Sequence, residues 1–208
     1  MNQPAALDFI HCFVPGHSKR TLLLLHGTGG DESNLVSLGR TLDAEASLLS
    51  PRGKVLENGM PRFFRRLAEG VFDEEDLIHR THELADFVQE AAAHYHFDPK
   101  NVIAVGYSNG ANIAGGILLL RPDVLCGAAL LRPMVPLIPK ALADLRNTPV
   151  LVCSGNQDPI VSSENADELV ALLRRAGANV TVSLENAGHA LTDATVETTL
   201  RWLLEEGK

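Results

Sequence analysis

The sequence predicts an α/β fold: a single domain over residues 1–208, with a mostly parallel central sheet of about seven strands flanked by helices. Three observations predict it. Short apolar runs alternate with longer amphipathic ones along the chain. Several runs, Leu22-Leu23-Leu24-Leu25 and Ala128-Ala129-Leu130-Leu131 among them, are apolar at every position, as strands covered on both faces are. A composition of 45% hydrophobic and 21% charged residues over 208 positions excludes disorder, and a chain of this length removes roughly 70% of its unfolded surface from water.

Strands are expected at 10–14, 21–26 and 46–50, each a short run rich in Leu, Val, Ile or Phe. The longest helix starts after Asp73, a good N-cap, with Glu74, Glu75 and Asp76 near the positive end of its dipole. Leu77, Leu84, Ala85, Val88, Ala91 and Ala92 recur on one face at steps of three and four. Asp98-Pro99 lies beyond its end. A strand at Val102–Tyr107 runs into a helix at Asn109–Leu120, followed by strands at Gly127–Leu131 and 150–153. A helix at 163–176 stops at Gly177, a natural residue just past a helix end. A strand at 180–184 and a helix at 193–204 complete the pattern, with Val196, Leu200, Leu203 and Leu204 inward and Trp202 packing. No repeat or linker interrupts it.

Residues 51–73 stand apart: about two dozen residues between a strand and a helix are more than a connection needs. The stretch holds Phe63, Phe64 and Phe72 and five basic residues, Arg52, Lys54, Arg62, Arg65 and Arg66, against the acidic Glu57, Glu69 and Asp73.

A net charge of −8 argues against nucleic acid or an anionic membrane as partner, because both polyanions repel it. Aromatics at 5% are too few for a base-stacking platform. No run of about 18 apolar residues is long enough to span a membrane. Met1-Asn2-Gln3-Pro4 lacks the basic and apolar regions of a signal peptide. Cys12, Cys126 and Cys153 are odd in number and far apart, so no disulfide framework or zinc site is expected. They read as buried small residues in a reducing cytoplasm.

The strongest motif is Gly106-Tyr107-Ser108-Asn109-Gly110, a G-x-S-x-G between a predicted strand and a predicted helix. That context makes a nucleophile elbow, in which a sharp turn exposes the Ser108 hydroxyl at the carboxyl end of the sheet. The alternative is a plain strand-to-helix turn with an incidental serine. A serine needs a base. Of eight histidines, His189 in Asn186-Ala187-Gly188-His189 sits between the last strand and the last helix. His26 reads as a structural residue bonding the glycine-rich loop after it. His94 and His96 have no partners at metal spacing, and His11, His17, His79 and His82 read as surface or loop residues. The acid that orients the base should follow a strand between the serine and the histidine. Asp158 in Gly155-Asn156-Gln157-Asp158-Pro159 does so. Asp123, Asp144 and Asp167 read as helical or helix-edge, and Asp193 as a cap. The order Ser108, Asp158, His189 is that of α/β-hydrolases. His26-Gly27-Thr28-Gly29-Gly30 can expose backbone N–H groups, and Thr28 N–H and Asn109 N–H are the expected oxyanion-hole donors. The loop lacks the spacing of GxGxxG and the ending of a P-loop, which argues against a phosphate site.

Leu25-His26-Gly27-Thr28-Gly29-Gly30-Asp31-Glu32, Gly106-Tyr107-Ser108-Asn109-Gly110, Asp158-Pro159-Ile160-Val161 and Gly188-His189 together resemble the phospholipase/carboxylesterase (acyl-protein thioesterase-like) branch of the α/β-hydrolases. The stretch from Ser50-Pro51-Arg52-Gly53 to Arg62-Phe63-Phe64-Arg65-Arg66 is similar to that branch's small bacterial carboxylesterases, including those associated with hydroquinone resistance. The resemblance covers almost the whole chain. It implies an α/β-hydrolase fold and a Ser-His-Asp carboxylesterase with no metal or organic cofactor, often a homodimer. Acyl-protein thioesterases usually have Gln after the serine and then Gly-Gly; Asn109 and Gly110-Ala111 stand here, which sets protein palmitate apart as a substrate. Dienelactone hydrolases share the fold but usually carry a cysteine nucleophile.

The chain has no room for a large lid, so a small-molecule ester is expected rather than a triglyceride. Phe63, Phe64 or Phe72 is expected to line the acyl pocket, and Arg62 or Arg65 to hold a substrate carboxylate. The alternative is that these arginines pair with acidic surface groups. Other activities stay open: a thioesterase or lysophospholipase on longer acyl chains, a C–C hydrolase or peptidase, or a non-catalytic ligand-binding protein.

Overall fold

The computed structural model describes residues 7–205, so Met1-Asn2-Gln3-Pro4 lies outside the described residues. Seven strands form one sheet: β1 (His11–Val14), β2 (Thr21–Leu25), β3 (Ser47–Pro51), β8 (Val102–Tyr107), β9 (Gly127–Leu131), β10 (Pro149–Gly155) and β11 (Asn179–Glu185). Their order across the sheet is β1-β3-β2-β8-β9-β10-β11. Only β1 is antiparallel to its neighbour. The helices are α1 (Val36–Leu42), α2 (Glu74–Tyr95), α3 (Asn109–Leu120), α4 (Ser163–Arg175) and α5 (Asp193–Glu205). The seven predicted strands and four of these helices stand within a residue or two of the expected bounds.

The apolar runs do what their continuity requires. Leu22 and Leu24 point into the cluster that holds Leu42 of α1 and Trp202 and Leu203 of α5, while Leu23 and Leu25 point into the cluster under α2, α3 and α4. All four leucines are fully buried, each worth about 1.5–3 kcal/mol relative to exposure. The α2 face is inward as expected, with Phe87 and Thr81 joining it. Asp73 Oδ1 accepts the Asp76 N–H at 3.1 Å, the cap the sequence predicts. Gly177 lies just past α4 with φ +96°.

Three expectations are corrected. Leu204 is not inward but exposed, because it falls on the outer side of α5 beside the buried Leu203. Cys126 is exposed rather than buried, since it sits in the turn before β9; Cys153 within β10 is buried. The cap of α5 is Thr192, whose Oγ1 accepts the Thr195 N–H at 3.1 Å, and not Asp193. Residues 51–73 are two short hairpins, β4 (Val55–Glu57) with β5 (Met60–Arg62) and β6 (Arg66–Ala68) with β7 (Val71–Phe72). The unpredicted α1 is seven residues long and has no side-chain cap. Its Gly39 lets the helix close on β2 and β3: a Cβ there would meet a Leu24 methyl at 2.8 Å.

Candidate active site

The sheet order determines where chemistry can collect. From β2 the chain runs outward to β3 on one side, then returns to place β8 on the other. The carboxyl ends of β2 and β8 therefore flank a topological switch point, where crevices form. The pairing Leu25↔Gly106 ends both strands at one level, so the loop after β2 and the turn after β8 emerge together.

Ser108 occupies that turn with φ 52° and ψ −115°, a left-handed conformation that costs an L-residue of order 1–3 kcal/mol. Its N–H donates to Leu131 O at 2.9 Å, which ties the turn to the end of β9. The tightness explains two motif glycines. A Cβ on Gly106 would lie 2.5 Å from Gly110 O and 2.7 Å from Ala111 Cα, and one on Gly110 would strike the Leu25 carbonyl. Helix α3 is thereby pressed against the end of β2.

One imidazole bridges the expected residues. His189 Nε2 lies 2.8 Å from Ser108 Oγ, and His189 Nδ1 lies 2.7 Å from Asp158 Oδ2. Asp158 is nearly sealed from solvent at 1% side-chain exposure, and its Oδ1 accepts the N–H groups of Ile160 and Val161 at 2.8 and 3.1 Å. With one oxygen so occupied, the other has a fixed direction toward the imidazole. A proton on Nδ1 leaves Nε2 free to accept from the serine hydroxyl. The parallel pairing Gly155↔Glu185 brings the Asp158 and His189 loops out of the sheet side by side.

His189 follows β11, three strands away from β8, so its loop must reach back across the sheet. Arg132, directly after β9, draws it there. Its Nε donates to Gly188 O at 3.0 Å and its Nη2 to Ala190 O at 3.3 Å, the carbonyls on either side of His189. Nη2 also meets Glu185 Oε2 at 2.8 Å, with side-chain exposures of 0% and 8% for the pair. Thr195 and Thr192 donate to the same oxygen at 2.8 and 3.0 Å. Burial alone would raise the Glu185 carboxyl, but these donors and the Arg132 charge hold it below its ordinary value. Sequence reasoning missed this network; a charged residue directly after an all-apolar strand was its one signal.

Residues 51–66 brace the loop after β2. His26 Nδ1 meets Gly27 O at 2.7 Å and His26 Nε2 accepts the Gly53 N–H at 3.0 Å. Burial pushes this imidazole below its ordinary value, opposed by the Gly27 bond and the charges of Asp31 and Glu32. Gly29 N–H donates to Pro61 O at 2.9 Å, and Phe63 N–H donates to Asn109 Oδ1 at 2.7 Å. Among the described residues, the backbone N–H groups of Thr28 and Asn109 have no partner.

A cavity of about 330 Å³ opens over Ser108 and His189, with Thr28, Arg62, Phe72 and Met134 in its wall. Of the expected pocket residues, Arg62 and Phe72 line it; Phe63, Phe64 and Arg65 do not. Phe63 and Phe64 are buried in the core, Phe64 edge-on behind Phe72 at 5.0 Å. Arg65 turns outward, 61% exposed, and pairs with Asp73 at 3.0 Å. Arg66 lines the cavity in its place, its fork closed on Glu57 at 2.7 and 2.9 Å. Among the described residues, no group of three or more His, Cys, Asp or Glu is placed to hold a metal ion, and no helix is long and apolar enough to cross a membrane.

Residues 63–199 match the model of the dienelactone hydrolase family. The chain is 51% identical over 195 residues to the putative hydrolase MhqD of Bacillus subtilis, covering 94% of this chain and 98% of that protein. The crystal structure of a Bacillus cereus carboxylesterase is 52% identical, with a TM-score of 0.93 over 95% of this chain and 94% of that one. The structure of YahD with malic acid is 30% identical, with a TM-score of 0.90 over 95% and 98% of the two chains.

Proposed function

This hydrolase belongs to the dienelactone hydrolase family of the α/β-hydrolase superfamily, and from that premise we propose that it is a serine carboxylesterase for small, short-chain carboxylic esters. The observation that carries the reading is the single imidazole held 2.8 Å from Ser108 Oγ and 2.7 Å from Asp158 Oδ2. Ser108 Oγ attacks the ester carbonyl carbon while its proton passes to His189 Nε2. The carbonyl π electrons move to oxygen, and the oxyanion is met by the N–H groups of Thr28 and Asn109. Collapse breaks the bond to the leaving oxygen, which takes the proton from His189. Water then attacks the acyl-enzyme, giving its proton to His189. The second collapse frees the carboxylic acid and returns that proton to Ser108. Asp158 keeps the imidazole in the tautomer that can accept, and stabilises the imidazolium.

The family takes its name from enzymes that usually carry a cysteine nucleophile; serine stands at position 108. Membership therefore supports hydrolysis without assigning a dienelactone substrate. A cavity near 330 Å³ is at the small end for ligand sites and favours short acyl groups. The test is hydrolysis of p-nitrophenyl acetate, butyrate and longer acyl esters by the wild type and Ser108→Ala. Activity confined to the wild type and to short chains is the expected result. Activity surviving in Ser108→Ala sinks the serine assignment, and a preference for long chains moves the protein to the lysophospholipase or thioesterase reading.

A second reading, an ester bearing a carboxylate, is favoured by the malic acid in the YahD structure. Against it, Arg66 is closed on Glu57, and Arg62 is shared between Thr28, Phe64 O and Glu57. The ratio of kcat/KM for a neutral ester and its ω-carboxylate analogue, measured in wild type and Arg62→Ala, decides it: an unchanged ratio removes Arg62 from substrate recognition.

A further inference from the structure

We propose that the Thr28 hydroxyl is a third donor to the oxyanion, held for that task by the buried guanidinium of Arg62. The proposal rests on the serine-esterase reading above.

Arg62 closes strand β5 with a side chain only 4% exposed. Its Nε donates to Phe64 O at 3.2 Å and lies 3.3 Å from a Glu57 carboxylate oxygen. With that end fixed, Nη1 donates to Thr28 Oγ1 at 2.7 Å. A guanidinium carries five N–H donors, no acceptor, and a permanent charge. The Thr28 oxygen can therefore only accept from Arg62, and its own proton must point elsewhere. Among the described residues that proton has no acceptor. Thr28 is itself exposed and lines the cavity that holds Ser108 and His189, so its proton is free to turn to an oxygen bound there.

The arrangement has the attributes of an oxyanion donor. The bond from Gly29 N–H to Pro61 O anchors the next residue of the loop to the same hairpin that holds the Thr28 side chain. A hydroxyl that accepts from a cation is polarised and donates more strongly. Its orientation is set before charge develops, so no reorganisation is needed when the carbonyl oxygen becomes negative. Thr28 is then a catalytic residue through its N–H and its hydroxyl, and Arg62 a positioning residue that acts through it.

The experiment compares Thr28→Val, which keeps the shape and removes the hydroxyl, with Thr28→Ser, which keeps the hydroxyl. Steady-state hydrolysis of p-nitrophenyl acetate is read beside inhibition by a 1,1,1-trifluoro-2-alkanone, whose adduct with Ser108 puts an oxyanion in the same place. Thr28→Val is expected to lower kcat by about 10²-fold with KM changed less than about threefold, and to weaken the ketone by the same factor. Thr28→Ser recovers both. Should the valine variant fail to fold, Thr28→Ala is read against Thr28→Ser by the same criteria. Arg62→Met should lose kcat and ketone affinity together, and the double variant with Thr28→Val should lose little more than either alone. The proposal is overturned by a kcat for Thr28→Val within about threefold of wild type, by Thr28→Ser behaving like Thr28→Val, or by a kcat loss with ketone affinity unchanged. A dead Ser108→Ala beside an unimpaired Thr28→Val removes the third donor alone; an active Ser108→Ala removes the serine reading itself.

Discussion

Replacing Arg132 by Met leaves Glu185 as a buried carboxylate without its cation. The pair has side-chain exposures of 0% and 8%, so solvent screening does little for the orphaned charge. Breaking such a pair from one side costs about 3–5 kcal/mol, a large part of a total stability of roughly 5–15 kcal/mol. At about 2–4 °C per kcal/mol for a chain of this size, Tm should fall by roughly 6–20 °C. The positive φ of 57° at position 132 is the same for Arg and Met, so the backbone contributes nothing to the difference. The pH dependence follows from the carboxylate. In the wild type Glu185 is held below its ordinary value, so its contribution is present at neutral pH and is lost as pH falls through the folded value. Without Arg132 the carboxyl rises from its wild-type value, because burial is then opposed only by the Thr192 and Thr195 donors. The variant is then most impaired relative to the wild type above that raised value, and the gap narrows as pH falls through it and the carboxyl becomes neutral. Urea melts of wild type and Arg132→Met at pH 7.5 and 6.0 measure both effects. Arg132→Met/Glu185→Gln, which removes the charge from both sides, should recover much of the loss at pH 7.5. Because Arg132 also holds the carbonyls of Gly188 and Ala190, kcat should drop in the single variant even well below its melting temperature. A loss under about 1 kcal/mol at pH 7.5, or a loss that does not change with pH, refutes the buried-pair account.

Asp158→Asn can keep the bonds from Ile160 and Val161 N–H but offers an NH₂ to His189 Nδ1. That reverses the tautomer, so kcat should fall about 10⁴-fold with Tm nearly unchanged. Esterase rates and melting curves check it, and a loss below tenfold would move the acid to another residue. His26 is 1% exposed and accepts the Gly53 N–H, a role only the neutral ring can fill. Its lowered value means that its stability contribution is full above about pH 6.5 and declines as pH falls toward the folded value. His26→Gln should cost about 1–3 kcal/mol at pH 7.5 through an orphaned N–H, and should flatten the decline between pH 7.5 and 5.5. Parallel declines in the two proteins, read from urea melts, would show that His26 is not the titrating group.

The readable part of the fold was the part with strong local physics. Strands apolar at every position, the Asp73 cap, and Gly177 past a helix each state their role within a few residues. Helix α1 was missed because its seven residues have no capping side chain and hold a central glycine. The hairpin β4–β5 was missed although Asn58-Gly59, both at positive φ of 51° and 80°, is the strongest short hairpin signal. Its strands are only three residues long, too short for alternation to register. Phe63, Phe64 and Phe72 are alike as residue types, and which of them faces the cavity depends on a hairpin register that composition does not carry.

Taken alone, the sequence determined the α/β architecture and singled out Ser108, Asp158 and His189 as the candidate triad. Those residues sit in local contexts, a strand end followed by a tight turn, whose geometry is set by neighbours in the chain. Only the tertiary structure decided how the three meet. The order β2-β8-β9-β10-β11 separates their strands, and a buried cation after β9 draws the His189 loop back across the gap. It also decided that Arg62 bonds to Thr28 while Arg65 turns to Asp73. Hydrogen bonds between residues 31 to 58 positions apart have no signature in local pattern, because the pairing is made by packing and not by spacing.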